Sequence, residues 1–223
     1  MKQRFNANGR GATNLGWLDS KHSFSFGGWS DPERMGVRSL RVLNDDRVQP
    51  GAGFGTHPHH DMEILTYVLD GTIAHEDSMG HRTELKAGEL QRMTAGSGVT
   101  HSEFNASESD PLHFLQIWVI PERKGLEPSY EQKSFEADGL TLVASNNPRD
   151  GSLKVHQDVD LYLLNEGAAD YALPAERTAY VHVATGQATV NGQTLETGDA
   201  LALTGEPNVE IEASGKVLLF DLG

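Results

Sequence analysis

One pattern occurs twice in this chain. The stretch YVLDGTIAHEDSMGHRTELKAGELQRMTAG from Tyr67 and the stretch HVATGQATVNGQTLETGDALALTG from His182 each read as strand, glycine, strand, turn, apolar residue, glycine plus acid, strand. Gly71 aligns with Gly186, Leu85 with Leu195, and Gly88-Glu89 with Gly198-Asp199. A repeated supersecondary unit implies two copies of one architecture. The surrounding pattern is that of strands. Short apolar runs (Val37–Leu43, Ile64–Leu69, Phe114–Ile120, Leu161–Leu164, Tyr180–Ala184 and Val217–Phe220) alternate with turn signals such as Asp70-Gly71, Ala87-Gly88, Asn191-Gly192 and Thr197-Gly198. Long helical periodicity is absent, so the expected fold is all-β, two barrels or sandwiches in tandem. The 223 residues suit two domains of roughly 100 each. The join is expected in Pro121–Phe135, read as a short helix plus linker, which gives domains 1–130 and 131–223.

Charge and histidine are distributed unequally between the two units. Residues 1–120 hold 11 Lys+Arg and 15 Asp+Glu, net −4, and residues 121–223 hold 7 and 17, net −10. A total of −14 argues against direct nucleic-acid contact and against an anionic membrane surface, since both need Lys and Arg. No run approaches the roughly 20 apolar residues of a membrane span, and the start resembles no signal peptide, so a cytoplasmic protein is expected. Eight of the ten histidines lie in the first 120 residues. The positions of the repeat that correspond to His57 and His59 are Ala172 and Pro174. Chemistry is therefore expected in the first barrel alone. With no cysteine in the chain, a metal there must use imidazole and carboxylate.

Two clusters carry that expectation. In GAGFGTHPHHDME (Gly51–Glu63), His57 and His59 are two apart, so on a strand both point to one face. Glu63 shares their parity and His60 does not. Pro58 cannot donate to a ladder and suits an edge or a bulge at a barrel mouth. In GVTHSEFN (Gly98–Asn105), His101 and Glu103 likewise share a face. Three imidazoles and a carboxylate suit one divalent transition metal, with iron first and nickel, manganese, cobalt, copper or zinc as alternatives, and leave room for further ligands in an octahedral set. A lone HxH is weak evidence of a metal site; two same-face pairs about 40 residues apart carry more weight. Among the other histidines, His22 in HSFSFGGW reads as a packed or hydrogen-bonded structural residue. His75 and His81 flank a predicted turn and read as solvated. His113 is either a pocket or a core residue, and His156 and His182 receive no role. Glu63 stays open on parity alone.

The residues fit a known pattern. Gly51, His57, His59 and Glu63 resemble the first cupin motif, with Gly71 one residue later than usual. Gly88, His101 and Asn105 resemble the second, with Thr94 in place of its usual proline and His101 two residues late. The stretches HSFSFGG, SLRVLNDDRVQPGAGFGTHPHHDMEI, QRMTAGSGVTHSEFN and HFLQIWVIPERKGLEPSYEQK, with DVDLYLLNEG in the second half, resemble the pirin family and its bacterial members in particular. The resemblance implies a bicupin with metal in the N-terminal barrel, held by His57, His59, His101 and Glu103, with Glu63 outside the ligand set. It also implies quercetinase-like chemistry: a dioxygenase that opens a flavonol with dioxygen and releases carbon monoxide, with Glu103 as the proton acceptor. Phe54, Leu65, Tyr67, Met93 and Gln116 are the expected cavity wall. The alternative it leaves is a non-enzymatic, metal- or redox-sensitive regulator that binds a protein partner. A monomer is the expected state. His60 stands where many pirins carry arginine, at a position that leaves the metal face.

Overall fold

The computed structural model describes residues 1–136 and 138–223. Among them the only helical element is a three-residue 3-10 turn at Ala7–Gly9; everything else regular is strand. Among the described residues no helix is long and apolar enough to cross a membrane.

The first unit pairs a seven-stranded sheet with a four-stranded one. The large sheet runs, edge to edge, β12 (Ser129–Ser134), β9 (Glu89–Thr94), β6 (Glu63–Asp70), β11 (Leu112–Val119), β4 (Leu40–Val48), β3 (Leu18–His22) and β2 (Gly11–Asn14). The small sheet runs β5 (Gly53–His59), β10 (Val99–Asn105), β7 (Thr72–Asp77) and β8 (Arg82–Lys86). The second unit has the same plan. Its large sheet is β1 (Lys2–Phe5), β20 (Ala200–Thr204), β17 (Thr178–Val183), β22 (Val217–Leu222), β15 (Val159–Leu164), β13 (Thr141–Ser145) and β14 (Leu153–Lys154). Its small sheet is β16 (Gly167–Ala172), β21 (Asn208–Ala213), β18 (Gln187–Val190) and β19 (Gln193–Glu196). The repeat read from the sequence is thus a repeat of structure. Gly71 and Gly186 both have positive φ (85° and 72°), as do Gly88 and Gly198 (86° and 85°), and Leu85 and Leu195 are both fully buried. Asn191 and Gly192 take the positive φ pair (44° and 77°) of a two-residue hairpin between β18 and β19.

The segment between the units differs from its expected form. Ser129–Ser134 is strand β12, paired along its whole length with β9 of the first unit, so the expected boundary between 130 and 131 falls inside a strand. Alternating side chains, with Tyr130 and Gln132 on one face, favour a ladder over a helix here. The opposite end of the chain crosses over in return: β1 pairs with β20 of the second unit.

The two large sheets pack face to face. Leu43, Leu65, Tyr67, Leu115 and Ile117 of the first meet Leu161, Leu163, Tyr180, Leu218 and Phe220 of the second in one apolar cluster. Each fully buried side chain of this kind contributes roughly 1.5–3 kcal/mol. The interiors of the two barrels then diverge. The second is filled by leucine, valine, isoleucine and alanine. The first has an apolar cluster at each end, Val68 and Phe114 in one and Ile64 and Met93 in the other, and a polar belt between them. One row of that belt follows the ladder from strand to strand: Gln91 pairs with Thr66, Thr66 with Gln116, Gln116 with Asn44, and Asn44 with His22. The corresponding row of the second barrel is Leu201, Val181, Leu219 and Tyr162. The barrel fold therefore does not require the belt.

Candidate metal centre

β5 and β10 are neighbours in the small sheet, and His57 and His101 are direct register partners. The register shifts between His101 and Glu103, whose partner is Phe54, so β5 carries an extra residue. β5 is an edge strand, which suits Pro58, and its extra residue lies before the proline, between Phe54 and His57. The bulge has a chemical effect: His57 Nδ1 lies 2.8 Å from the carbonyl of Gly55. That contact puts the proton on Nδ1 and leaves the Nε2 lone pair free.

Three imidazoles meet here. Ring centroids are 4.5 Å apart for His57 and His101, 4.8 Å for His57 and His59, and 5.0 Å for His59 and His101. One nitrogen from each lies within 4.8 Å of the others, compatible with the roughly 3–4 Å between ligand atoms bound at about 2.1 Å from one ion. Burial holds His59 at about 4 and His101 at about 3, with the neighbouring imidazoles adding to the effect. They are neutral, as metal ligation needs. His101 is buried and neither of its nitrogens has a hydrogen-bond partner among the described residues. An orphaned buried polar atom costs about 1–3 kcal/mol. An ion bound by one of these nitrogens removes that cost, so the donor set fits a divalent transition metal.

Glu103 hangs over the polar belt. Its Oε1 accepts from Gln91 Nε2 at 3.2 Å and Thr66 Oγ1 at 3.3 Å, and its Oε2 accepts from Gln116 Nε2 at 3.0 Å. Burial raises its pKa, opposed chiefly by the imidazoles of His75 and His57. Its carboxylate groups most closely with His101 and with His75, all three buried.

His75 departs from the solvated role expected for it. The turn lies later, around Ser78–Gly80, and Ile73, His75 and Asp77 all face inward on β7. His75 Nε2 is held by Asp77 Oδ2 at 3.2 Å, and its ring stacks on Tyr130 at 4.8 Å. Asp77 Oδ2 also contacts His81 Nδ1 at 2.9 Å, and His81 stacks on Tyr130 as well, at 4.9 Å. The inward alternation Ile73, His75, Asp77 was the signal that locates this histidine.

Other expectations sort by sheet. Glu63 begins β6 and turns to the second unit, where its Oε2 accepts from the His156 backbone N–H at 3.2 Å. The parity that linked it to His57 is lost at Asp61, whose φ is +50°. His22 is hydrogen bonded as expected, with Nε2 2.9 Å from Thr13 Oγ1 and Nδ1 2.8 Å from Asn44 Oδ1. His113 Nε2 lies 2.7 Å from Asp45 Oδ1, outside the cavity. His60 is exposed beside the site, with its Nδ1 3.4 Å from Asp61 Oδ2.

A cavity of about 330 Å³ opens onto His57, His59 and Glu103. Phe54 and Gln116 line it as expected. Leu65, Tyr67 and Met93 do not: Leu65 and Tyr67 face the neighbouring barrel, and Met93 packs in the apolar end cluster. Along β6 it is Thr66, with the opposite parity, that faces inward. The rest of the wall comes from residues to which no role was assigned in the sequence: Leu18, Phe26 and Trp118 form its apolar side.

Comparison with known proteins agrees with this geometry. A family model described as Pirin matches residues 4–119, and one described as Quercetinase C-terminal cupin domain matches residues 142–222. Quercetin 2,3-dioxygenase of Escherichia coli (strain K12) is 51% identical over 222 residues, covering 97% of this chain and 96% of that protein. The crystal structure of the bacterial pirin YhhW from Escherichia coli in complex with nickel(II) superposes with a TM-score of 0.95 at 49% identity, covering 100% of this chain and 99% of that one. Quercetin 2,3-dioxygenase from Acinetobacter baumannii shares the fold at 23% identity, with a TM-score of 0.78 over 99% of this chain and 78% of its own. Two tandem cupin barrels, a histidine cluster in the first and family matches across both halves lead to one conclusion: this chain is a member of the pirin family.

Proposed function

We propose that the chain is a metal-dependent dioxygenase that opens flavonols such as quercetin, with the ion held by His57, His59, His101 and Glu103. The observation that carries this reading is the convergence of three imidazoles, with the buried carboxylate of Glu103 grouped to one of them, beside a cavity that has an apolar side and is lined by His57, His59 and Glu103. The relatives named quercetin 2,3-dioxygenase and the nickel complex of a bacterial pirin support it. Iron(II) and nickel(II) both suit the nitrogen-rich donor set.

A metal ion in this site supplies Lewis-acid polarisation of a chelating enol oxygen, which brings the proton of a flavonol 3-hydroxyl within reach of a carboxylate base near neutral pH. The chain does the rest. Glu103 takes that proton on a carboxylate oxygen, and the raised affinity of its buried carboxyl for a proton suits it to the task. Gln91, Thr66 and Gln116 hold the carboxyl in place through each protonation state, since an amide or hydroxyl can rotate to donate or accept. Phe54 and Trp118 flank a planar ring and keep water from the electron-rich anion.

The test is turnover by purified, metal-loaded protein under air. The reading requires quercetin loss with stoichiometric dioxygen uptake and carbon monoxide release, and their disappearance in His57→Ala. Absence of turnover across flavonols with full metal occupancy would reject it.

A further inference from the structure

Beyond Gln116 the polar side of the cavity continues away from the histidine triad, through Asn44, Asp46, Ser20, His22 and Thr13. Asp46 stands out there. It is 4% exposed, and no described cation pairs with it. Its Oδ1 is buried with no hydrogen-bond partner among the described residues, and the hydroxyl of Ser20 favours its charge. Asn44 presents its Oδ1 to His22, and its amide nitrogen bonds to no described residue.

A buried carboxyl without a cation destabilises a fold. The duplicated barrel shows what the fold alone selects at this place. Following the ladders, Asn44 corresponds to Tyr162 and Asp46 to Leu164, which is 1% exposed and packed in the apolar core. Barrel packing therefore accepts leucine where the first barrel keeps an uncompensated carboxyl facing a cavity.

We propose that Asp46, with Asn44 beside it, forms a second recognition pole that accepts a hydrogen bond from a phenolic hydroxyl on the pendant ring of a flavonol chelated at the triad. This inference rests on the flavonol reading above and specifies which flavonols the cavity selects. Asp46 lies one strand across from Gln116, the Glu103 partner, and two residues along. By strand geometry that places its Cα about 8 Å from that of Gln116, the same length scale as the separation between the 3-hydroxyl of a flavonol and the hydroxyls of its pendant ring. Burial, together with Asp45 and Glu103, lifts the Asp46 carboxyl to about 7. Its unpartnered buried Oδ1 is the acceptor that such a hydroxyl meets. Phe54, which packs with Phe114, the register partner of Asp46, lines the Asp46 side of the cavity, and Trp118 stands against His59 at the metal side.

Anaerobic absorbance titration of nickel-loaded protein with quercetin and with galangin, which lacks only the pendant-ring hydroxyls, tests the proposal. The wild type should bind quercetin at least about 10-fold more tightly than galangin, the scale of a hydrogen bond to a charged acceptor. Asp46→Leu should remove that preference while galangin binds as before or more tightly. Asp46→Asn, which preserves the shape of the site should leucine overpack it, should reduce the preference several-fold. Equal losses for both flavonols, or no loss for quercetin, would overturn the second pole and leave the flavonol reading intact. A wild type that binds neither flavonol while holding its metal would overturn both.

Discussion

His57 and His101 face each other across the β5–β10 ladder as register partners, with ring centroids 4.5 Å apart and the Gly55 carbonyl fixing the tautomer of the first. The ladder fixes their separation, so metal affinity should depend on each ring individually. His57→Ala should weaken binding of nickel(II) at least about 100-fold, the scale of losing one ligand or its orientation. Because His57 is only half-buried, the metal-free protein should keep its unfolding midpoint. Isothermal titration with a competing chelator, alongside urea unfolding of the apo form, separates the two effects.

The carboxylate side of the site makes a different demand. Gln91 is fully buried and serves Thr66, Glu103 and the Tyr130 hydroxyl at once. Gln91→Leu, the residue found at the matching place in the second barrel, leaves those partners short of a hydrogen bond. A loss of about 1–3 kcal/mol in urea unfolding is expected, together with reduced kcat for quercetin. Unchanged stability would mean that the row is not a connected network.

Phe5 reaches out of the first strand to join the core between the barrels. Its ring lies 5.6 Å from Tyr180 and 6.0 Å from Phe24, edge-on to both. Phe5→Ala should cost about 3–5 kcal/mol, read as a lowered denaturation midpoint, because β1 closes the edge of the second large sheet.

Acid should weaken the same interface through His182. Neither ring nitrogen has a hydrogen-bond partner among the described residues; burial and then Arg10 hold the group at about 4, with Asp45 and Asp199 acting in the opposite sense. The unfolded chain takes up a proton here below about pH 6.5 and the folded chain only near 4. Stability from this residue is therefore complete above pH 6.5 and falls as pH drops towards 4, by at most about 3 kcal/mol. His182→Leu should match or exceed the wild type at pH 8 and gain on it steadily towards pH 4.5 in urea titrations. A constant difference across that range would contradict the assignment.

Much of this was legible in the chain itself. The pairs His57/His59 and His101/Glu103 identified their strands because parity survives within a single strand. Parity failed for Glu63, where the left-handed turn at Asp61 separates two sheets and resets the count. For His75 the turn signal in the sequence misleads, because β7 runs on to Asp77 before the chain turns. On β6 the inward residue is Thr66 and not its neighbours Leu65 and Tyr67, since alternation alone does not say which face of a two-faced strand meets the second barrel. Asn44 and Asp46 lay in a recognisable stretch, yet their role depends on ladder register with β3 and β11, a long-range property that no local pattern encodes.

The central claim is that one ion sits among positions 57, 59, 101 and 103, and an anomalous difference map from crystals of nickel-loaded protein tests it most directly. The expected result is a single strong peak about 2.0–2.2 Å from one nitrogen of each imidazole and an oxygen of the carboxylate. A peak held by His75 in place of His57 and His59, or none near these side chains in protein that retains stoichiometric metal, would contradict it.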